Sequence, residues 1–195
     1  MGDIMNRVIK LFTAPIKMLY AKMYPEKYAR MIGVNMGEGV RIYGSSYSMF
    51  STEPWLITLG NNVHIVRGTE FLPHDGGTLI LRDKIPDLEL TQPIKVGDNV
   101  YIGTRCLIML GVSIGSNVII GAGSVVTRDI PANSVAVGVP ARVIKTIDEY
   151  LEKAQEESLH LGHLYSDDKA RELKKIFNVT ITQNKVKYIS KWLFL

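Results

Sequence analysis

The chain has 195 residues, enough for one domain of ordinary size, and at 46% apolar and 22% charged it supports a buried core and excludes global disorder. Its formal charge of +4 sits at one end: residues 1–30 carry six basic and two acidic side chains, residues 31–145 nine of each, and residues 146–195 eight of each. A nucleic-acid-binding domain carries its basic excess on the folded body, so no nucleic-acid partner is expected.

Residues 1–31 read as a helical arm. Within it, two amphipathic helices are expected over residues 3–30, divided at Pro15, with Ile4, Val8, Phe12, Ile16, Leu19 and Met23 on one face and Arg7, Lys10 and Lys17 opposite. The expected role of the arm is a cap over the open end of the next domain. The alternative is peripheral contact of a basic amphipathic helix with an anionic membrane. No apolar run reaches the roughly 18 residues of a membrane span, and Arg7, Lys10 and Lys17 interrupt the only stretch resembling an export signal. The start Met-Gly-Asp-Ile-Met-Asn lacks the Ser or Thr of a myristoylation signal. With a single cysteine, Cys106, unable to form an internal disulfide, these features predict a cytoplasmic protein.

Residues 32–147 carry a period of six. Fifteen of the 17 glycines lie between Gly33 and Gly138. From Val96 the blocks read VGDNVY, IGTRCL, IMLGVS, IGSNVI, IGAGSV and VTRDIP; the first position is Val or Ile in all six, and the second is Gly in four. LGNNVH, IVRGTE and FLPHDG from Leu59 keep the phase, and MGEGVR and IYGSSY from Met36 follow it loosely. A β-branched residue every six suits a short strand with an inward side chain, and Gly or Asn suits the turn at each corner. No hexad buries its own apolar residue, so successive coils must stack around a common core. Two segments break the period. YGSSYSMFSTEPWLIT leaves the coil from Ile42 to Leu59 one residue short of three hexads, and residues 73–93 form an insertion expected to leave the rod as a loop. Residues 148–195 form a C-terminal region: a helix from Ile147 to His160, another from Ser166 to Phe177 with Ser166 as N-cap, then a strand and apolar tail over VTITQNKVKYISKWLFL.

The hexads, and above all the run IGAGSVVTRDIPANSVAVGVPARVIK, resemble the hexapeptide-repeat acyltransferases, most closely the galactoside, maltose and polysaccharide sugar O-acetyltransferases. The resemblance covers roughly residues 32–147. It implies a mainly β fold, a left-handed parallel β-helix with short N- and C-terminal helices, and a homotrimer with sites between subunits. It also implies transfer of an acetyl group from acetyl-CoA, as co-substrate, to a hydroxyl of a sugar or polysaccharide precursor.

His74, at the start of the insertion, matches the position of the family's catalytic histidine. Imidazole titrates near neutrality and suits the removal of a proton from a hydroxyl nucleophile. Asp75 or Glu70 is the expected orienting carboxylate. Direct attack needs no acyl-enzyme, so Cys106, at the fifth hexad position, reads as a small buried residue. In related enzymes the positions matching Thr104, Ala122, Thr127 and Arg128 contact the cofactor, and those matching Arg142 and Lys145 lie near its phosphates, which suit both cations. Ser45 and Ser46 stand near an acceptor-binding asparagine of a relative, and Tyr47 and Trp55 are stacking candidates or core. No metal is expected: His64 reads as a wall position, and His160 and His163 share a helix without a third ligand. Two other functions remain open, N-acetylation of an amino-sugar nucleotide or other amine, and a non-catalytic structural or interaction role.

Overall fold

A computed structural model describes residues 2–179, with side chains from residue 13 onward. The chain divides into two compact units, Met1–Glu152 and Lys153–Leu195. The first opens with α1 (Gly2–Met23) and α2 (Pro25–Met31). The next strands wind through three faces in turn: β1 (Asn35–Met36) and β2 (Arg41–Tyr43), then β3 (Ile57–Leu59), β4 (Val63–Val66) and β5 (Glu70–Leu72). The following coils hold β6 (Ile94–Val96), β7 (Val100–Ile102) and β8 (Leu107–Met109), then β9 (Ser113–Ile114), β10 (Val118–Ile120) and β11 (Val125–Val126). The rod ends with β12 (Ser134–Gly138) and β13 (Ala141–Thr146).

These strands make three sheets, ordered β1-β3-β6-β9, β2-β4-β7-β10-β12-β13 and β5-β8-β11, called here the first, second and third faces. Every pairing is parallel except that of β12 with β13. Three parallel sheets wound in this order are those of a left-handed β-helix with terminal helices, the fold the family resemblance implies. The period appears directly in the register: Val96 pairs with Ile114 and Val100 with Val118. Each block-leading residue from Ile102 through Ile108, Ile114, Ile120 and Val126 is buried. Burying one such aliphatic side chain contributes roughly 2 to 3 kcal/mol.

The corners explain the remaining hexad positions. Asn62, Asn99, Asn117 and Asn133 all have left-handed backbone, with φ between 52° and 58°. Their amides form a ladder: Asn62 donates to Asn99 at 2.8 Å, Asn99 to Asn117 at 3.2 Å, and Asn117 to Asn133 at 2.9 Å. Tyr43 and His64 extend it, since Tyr43 Oη lies 2.9 Å from His64 Nδ1 and His64 Nε2 lies 3.0 Å from Asn62 Oδ1. Both ring nitrogens of His64 are thereby engaged on the wall, where the sequence puts this residue. At another corner Thr69, Cys106 and Ser124 stack in the buried fifth position. Thr69 donates to the carbonyl of Gly103, whereas Cys106 and Ser124 both donate to that of Gly121. Glycine at 97 is required by close approach, because a Cβ there would lie 2.8 Å from the Ser116 backbone nitrogen of the next coil.

The start of the rod is covered, and its far end gains an extra strand on the second face. At the start, Arg30 donates to the carbonyls of Met36 and Gly37, each at 2.6 Å, and Glu26 accepts from Ile42 N at 2.8 Å. The edge of β5 is covered in turn, since Phe71 N donates to Met49 O at 2.8 Å. At the far end β13 runs antiparallel along β12.

Several sequence expectations need correction. α1 continues through Pro15, and the break falls at Tyr24 instead, where Pro25 begins α2 at a position needing no N–H donor. Capping is done by α2, which buries Tyr28 and Ala29, while the described part of α1 turns Ile16, Leu19 and Met23 outward. The irregular coil is five residues over eighteen rather than one residue short: Ile42 pairs with Ile65, because the segment after Tyr43 leaves the wall and rejoins it at β3. The helix after β13, α3 (Ile147–Glu156), ends short of His160, and Ser166 is the first residue of α4 (Ser166–Ile176), whose N-cap position is Tyr165 without a side-chain cap. His160 and His163 therefore lie between these helices, with His160 in left-handed backbone. The strand and apolar tail expected at the C-terminus fall outside the described residues, apart from Val179.

Candidate active site

Two irregular segments meet at the corner between the third and first faces: residues 44–56, which run from β2 to β3, and residues 73–93, which run from β5 to β6. The first brings Thr52 and Glu53 to the corner just ahead of β3, and the second begins where β5 ends. His74 is fixed by an isolated antiparallel bridge to Thr91, flanked by hydrogen bonds from Asp75 N to Leu90 O and from Gln92 N to Pro73 O. The insertion thus begins and ends as a narrow ribbon, which holds the histidine close to the wall. Beyond it, Asp75 Oδ1 accepts from Gly77 N at 2.8 Å and caps the short helical turn Gly76–Leu81.

His74 Nδ1 lies 2.6 Å from Glu53 Oε2, and Thr52 Oγ1 donates to Glu53 Oε1, also at 2.6 Å. Burial favours the neutral form of Glu53, but the hydrogen bonds from Thr52 and His74 and the charge of His74 outweigh it, and its carboxyl titrates below the ordinary range. When the imidazole is neutral, an ionised Glu53 accepts its Nδ1 proton, which leaves Nε2 with its lone pair available. Alongside is a cavity of about 220 Å³ lined by Thr52, Glu53, His74, Asp75, Gly76, Thr78, Leu79, Arg82 and Glu89. An imidazole, a carboxylate in contact with it and a polar recess therefore occupy one place.

Glu53 was not singled out in the sequence. The available signal was its position, since it is the only carboxylate between Glu38 and Glu70 and stands in the segment that breaks the period. Asp75 and Glu70 do not orient His74: the Asp75 side chain turns to Gly77, and Glu70 lies within β5.

The other candidates divide into three groups. Thr104 and Ala122 stand at the corner between the second and third faces, on successive coils, where Gly123 N donates to Thr104 O at 2.8 Å. Thr127 and Arg128 are exposed just after β11, at the corner from which His74 emerges after β5. Arg142 and Lys145 lie on β13 at the end of the rod, opposite Val137 and Val135 of β12. Within one chain Thr104 and Ala122 are on the edge of the third face opposite His74, so a single chain does not bring all the candidates together. Ser46 is buried and donates to Pro25 O at 2.8 Å, and Trp55 is exposed. Among the described residues no group of three or more His, Cys, Asp or Glu side chains is arranged to hold a metal ion. A larger depression of about 670 Å³ runs along α4 in the second unit, without a histidine or cysteine in its lining.

Comparison with known proteins fits this geometry. Residues 93–128 match the family described as the hexapeptide repeat of succinyl-transferase. The chain is 40% identical over 160 residues to protein CapG of Staphylococcus aureus, covering 82% of this chain and 91% of CapG. It belongs to the hexapeptide-repeat acetyltransferase family. A second member of that family, galactoside O-acetyltransferase of Escherichia coli K12, is 37% identical over 124 residues, 60% of this chain and 57% of the enzyme. The crystal structure of a hexapeptide-repeat-containing acetyltransferase from Vibrio cholerae aligns with a TM-score of 0.50 at 19% identity, over 72% of this chain and 92% of that one, and shows the shared fold. Sugar O-acetyltransferases are thus among the relatives of this hexapeptide-repeat acetyltransferase.

Proposed function

We propose that this protein transfers the acetyl group of acetyl-CoA to a hydroxyl of a sugar or polysaccharide precursor, with His74 as general base. The observation that carries the reading is the 2.6 Å contact between His74 Nδ1 and Glu53 beside a polar recess. His74 Nε2 removes the hydroxyl proton as the oxygen attacks the thioester carbonyl carbon. The imidazolium then formed is stabilised by the Glu53 carboxylate. As the tetrahedral adduct collapses, the C–S bond breaks and His74 returns its proton to the departing sulfur. No acyl-enzyme is required, and the burial of Cys106, which raises its thiol pKa, argues against a thiolate nucleophile.

In this reading Thr104, Ala122, Thr127 and Arg128 line the acetyl-CoA arm, and Arg142 and Lys145 meet its phosphates. The division of these residues between opposite edges supports a homotrimer, in which the Thr104–Ala122 edge of one subunit faces the His74 corner of its neighbour. The relation to galactoside O-acetyltransferase supports a hydroxyl acceptor.

The test is thiol release from acetyl-CoA with a panel of sugar hydroxyl and amino-sugar acceptors, using wild type and His74→Ala. Hydroxyl-dependent release that falls at least a thousandfold in the variant is expected, as for loss of a general base that also orients its substrate. A clear amine preference refutes the acceptor class, and an unchanged rate in His74→Ala refutes the base.

A further inference from the structure

The described part of α1 turns its large apolar side chains away from the protein. Ala21 is fully buried, and its carbonyl accepts from Ser46 N at 3.3 Å, so the small-residue side of the helix is the seated side. On the other side Ile16, Leu19 and Met23 are 70%, 59% and 58% exposed, in a stripe at i, i+3 and i+7. With Tyr20 they span an arc of about 100°. Lys17 and Lys22, both exposed, fall on opposite flanks of that arc.

Charge identifies the occupant. The entire basic excess of the chain lies in residues 1–30, while the remaining residues are balanced. A stripe of large apolar residues along a helix with lysines on both flanks matches a bilayer interface: the stripe enters the acyl boundary and the lysine stems carry their ammonium groups to the headgroups. No helix among the described residues is long and apolar enough to cross a membrane, so the helix would lie on the surface. The geometry points to α1 as an amphipathic anchor that docks the protein on an anionic lipid surface. This site is separate from the His74 corner and independent of the reaction proposed there.

The experiment is flotation of the full-length protein with phosphatidylcholine vesicles, with and without one part in three of phosphatidylglycerol, at low and high salt. The protein is expected to float only with the anionic vesicles and to be released by high salt. Lys17→Gln combined with Lys22→Gln lowers partitioning about thirtyfold, and Leu19→Glu abolishes it. Neither variant touches the buried core, so both are expected to keep wild-type thermal stability and wild-type transfer to a soluble acceptor. Failure to float with anionic vesicles, or equal flotation with neutral ones, overturns the inference. If Leu19→Glu lowers the mass of the assembly in light scattering while wild type ignores vesicles, a second copy of the chain covers the stripe and the membrane is not its partner.

Discussion

Replacing Glu53 by glutamine isolates the charge in the His74 pair. Glutamine still accepts the Nδ1 proton, so ring orientation and tautomer survive while the carboxylate is removed. What is lost is the stabilisation of the imidazolium that forms as the acceptor oxygen attacks. Two unit charges about 4 Å apart interact by about 4 kcal/mol at an effective dielectric of 20 and by about 1 kcal/mol in water. The His74 and Glu53 side chains are 35% and 26% exposed, which places the pair between those limits after solvent screening. A loss of about 2 kcal/mol corresponds to about a thirtyfold fall in kcat, with KM for acetyl-CoA unchanged. Thiol release under saturating acetyl-CoA measures it, and a thermal melt checks that the fold is retained. In a His74→Ala background Glu53→Gln should have no further effect. A fall in kcat of less than threefold, a change confined to KM, or additive losses in the double variant would refute the argument.

Other expectations follow from the scaffold and the pair. The Glu53 carboxyl titrates below its unfolded value, so its contribution to stability is full above the unfolded pKa and is lost as pH falls through the folded one; wild type should therefore lose more stability than Glu53→Gln on acidification below about pH 4, read from denaturant midpoints. Asn99→Ala forfeits two ladder hydrogen bonds and places a Cβ-bearing residue without a local polar group at φ 53°, costing about 2 kcal/mol by chemical denaturation, while Asn99→Gly costs less because the backbone conformation is free to glycine. Gly97→Ala drives a Cβ into the backbone of the next coil and costs about 3 kcal/mol, lowering Tm by roughly 6 to 12 °C, whereas Gly76→Ala, with no atom within 4 Å, stays within about 0.5 kcal/mol. Cys106 is buried with its thiol pKa raised by that burial, so native protein should resist alkylation at pH 8 over hours and Cys106→Ala should retain transfer activity.

The repeat made most of the rod legible because each hexad is a local unit whose inward residue is set by phase. Ile102, Ile108, Ile114, Ile120 and Val126 could be assigned to the core from their spacing, and all are buried. The irregular segments were not legible in the same way. Pairing of Leu59 with Val96 and of Ile42 with Ile65 depends on where a loop rejoins the wall, which periodicity does not encode. The contact between Glu53 and His74, 21 residues apart, depends on two such loops meeting at one corner. Pro15 drew the helix break to itself by a local rule, yet the turn falls at Tyr24, where α2 reorients to place Arg30 and Glu26 over the first coil.

The chemistry at the two ends of the rod limits its length. An uncapped parallel coil presents rows of vacant amides and carbonyls with the spacing of a cross-β fibril, and another molecule could extend it indefinitely. Arg30, Glu26 and Met49 occupy such groups on the three faces at one end, and β13 reverses strand direction along the second face at the other. These contacts cover the start of the rod on all three faces, and loss of Arg30 would expose a growth surface there before it disturbed the His74 corner.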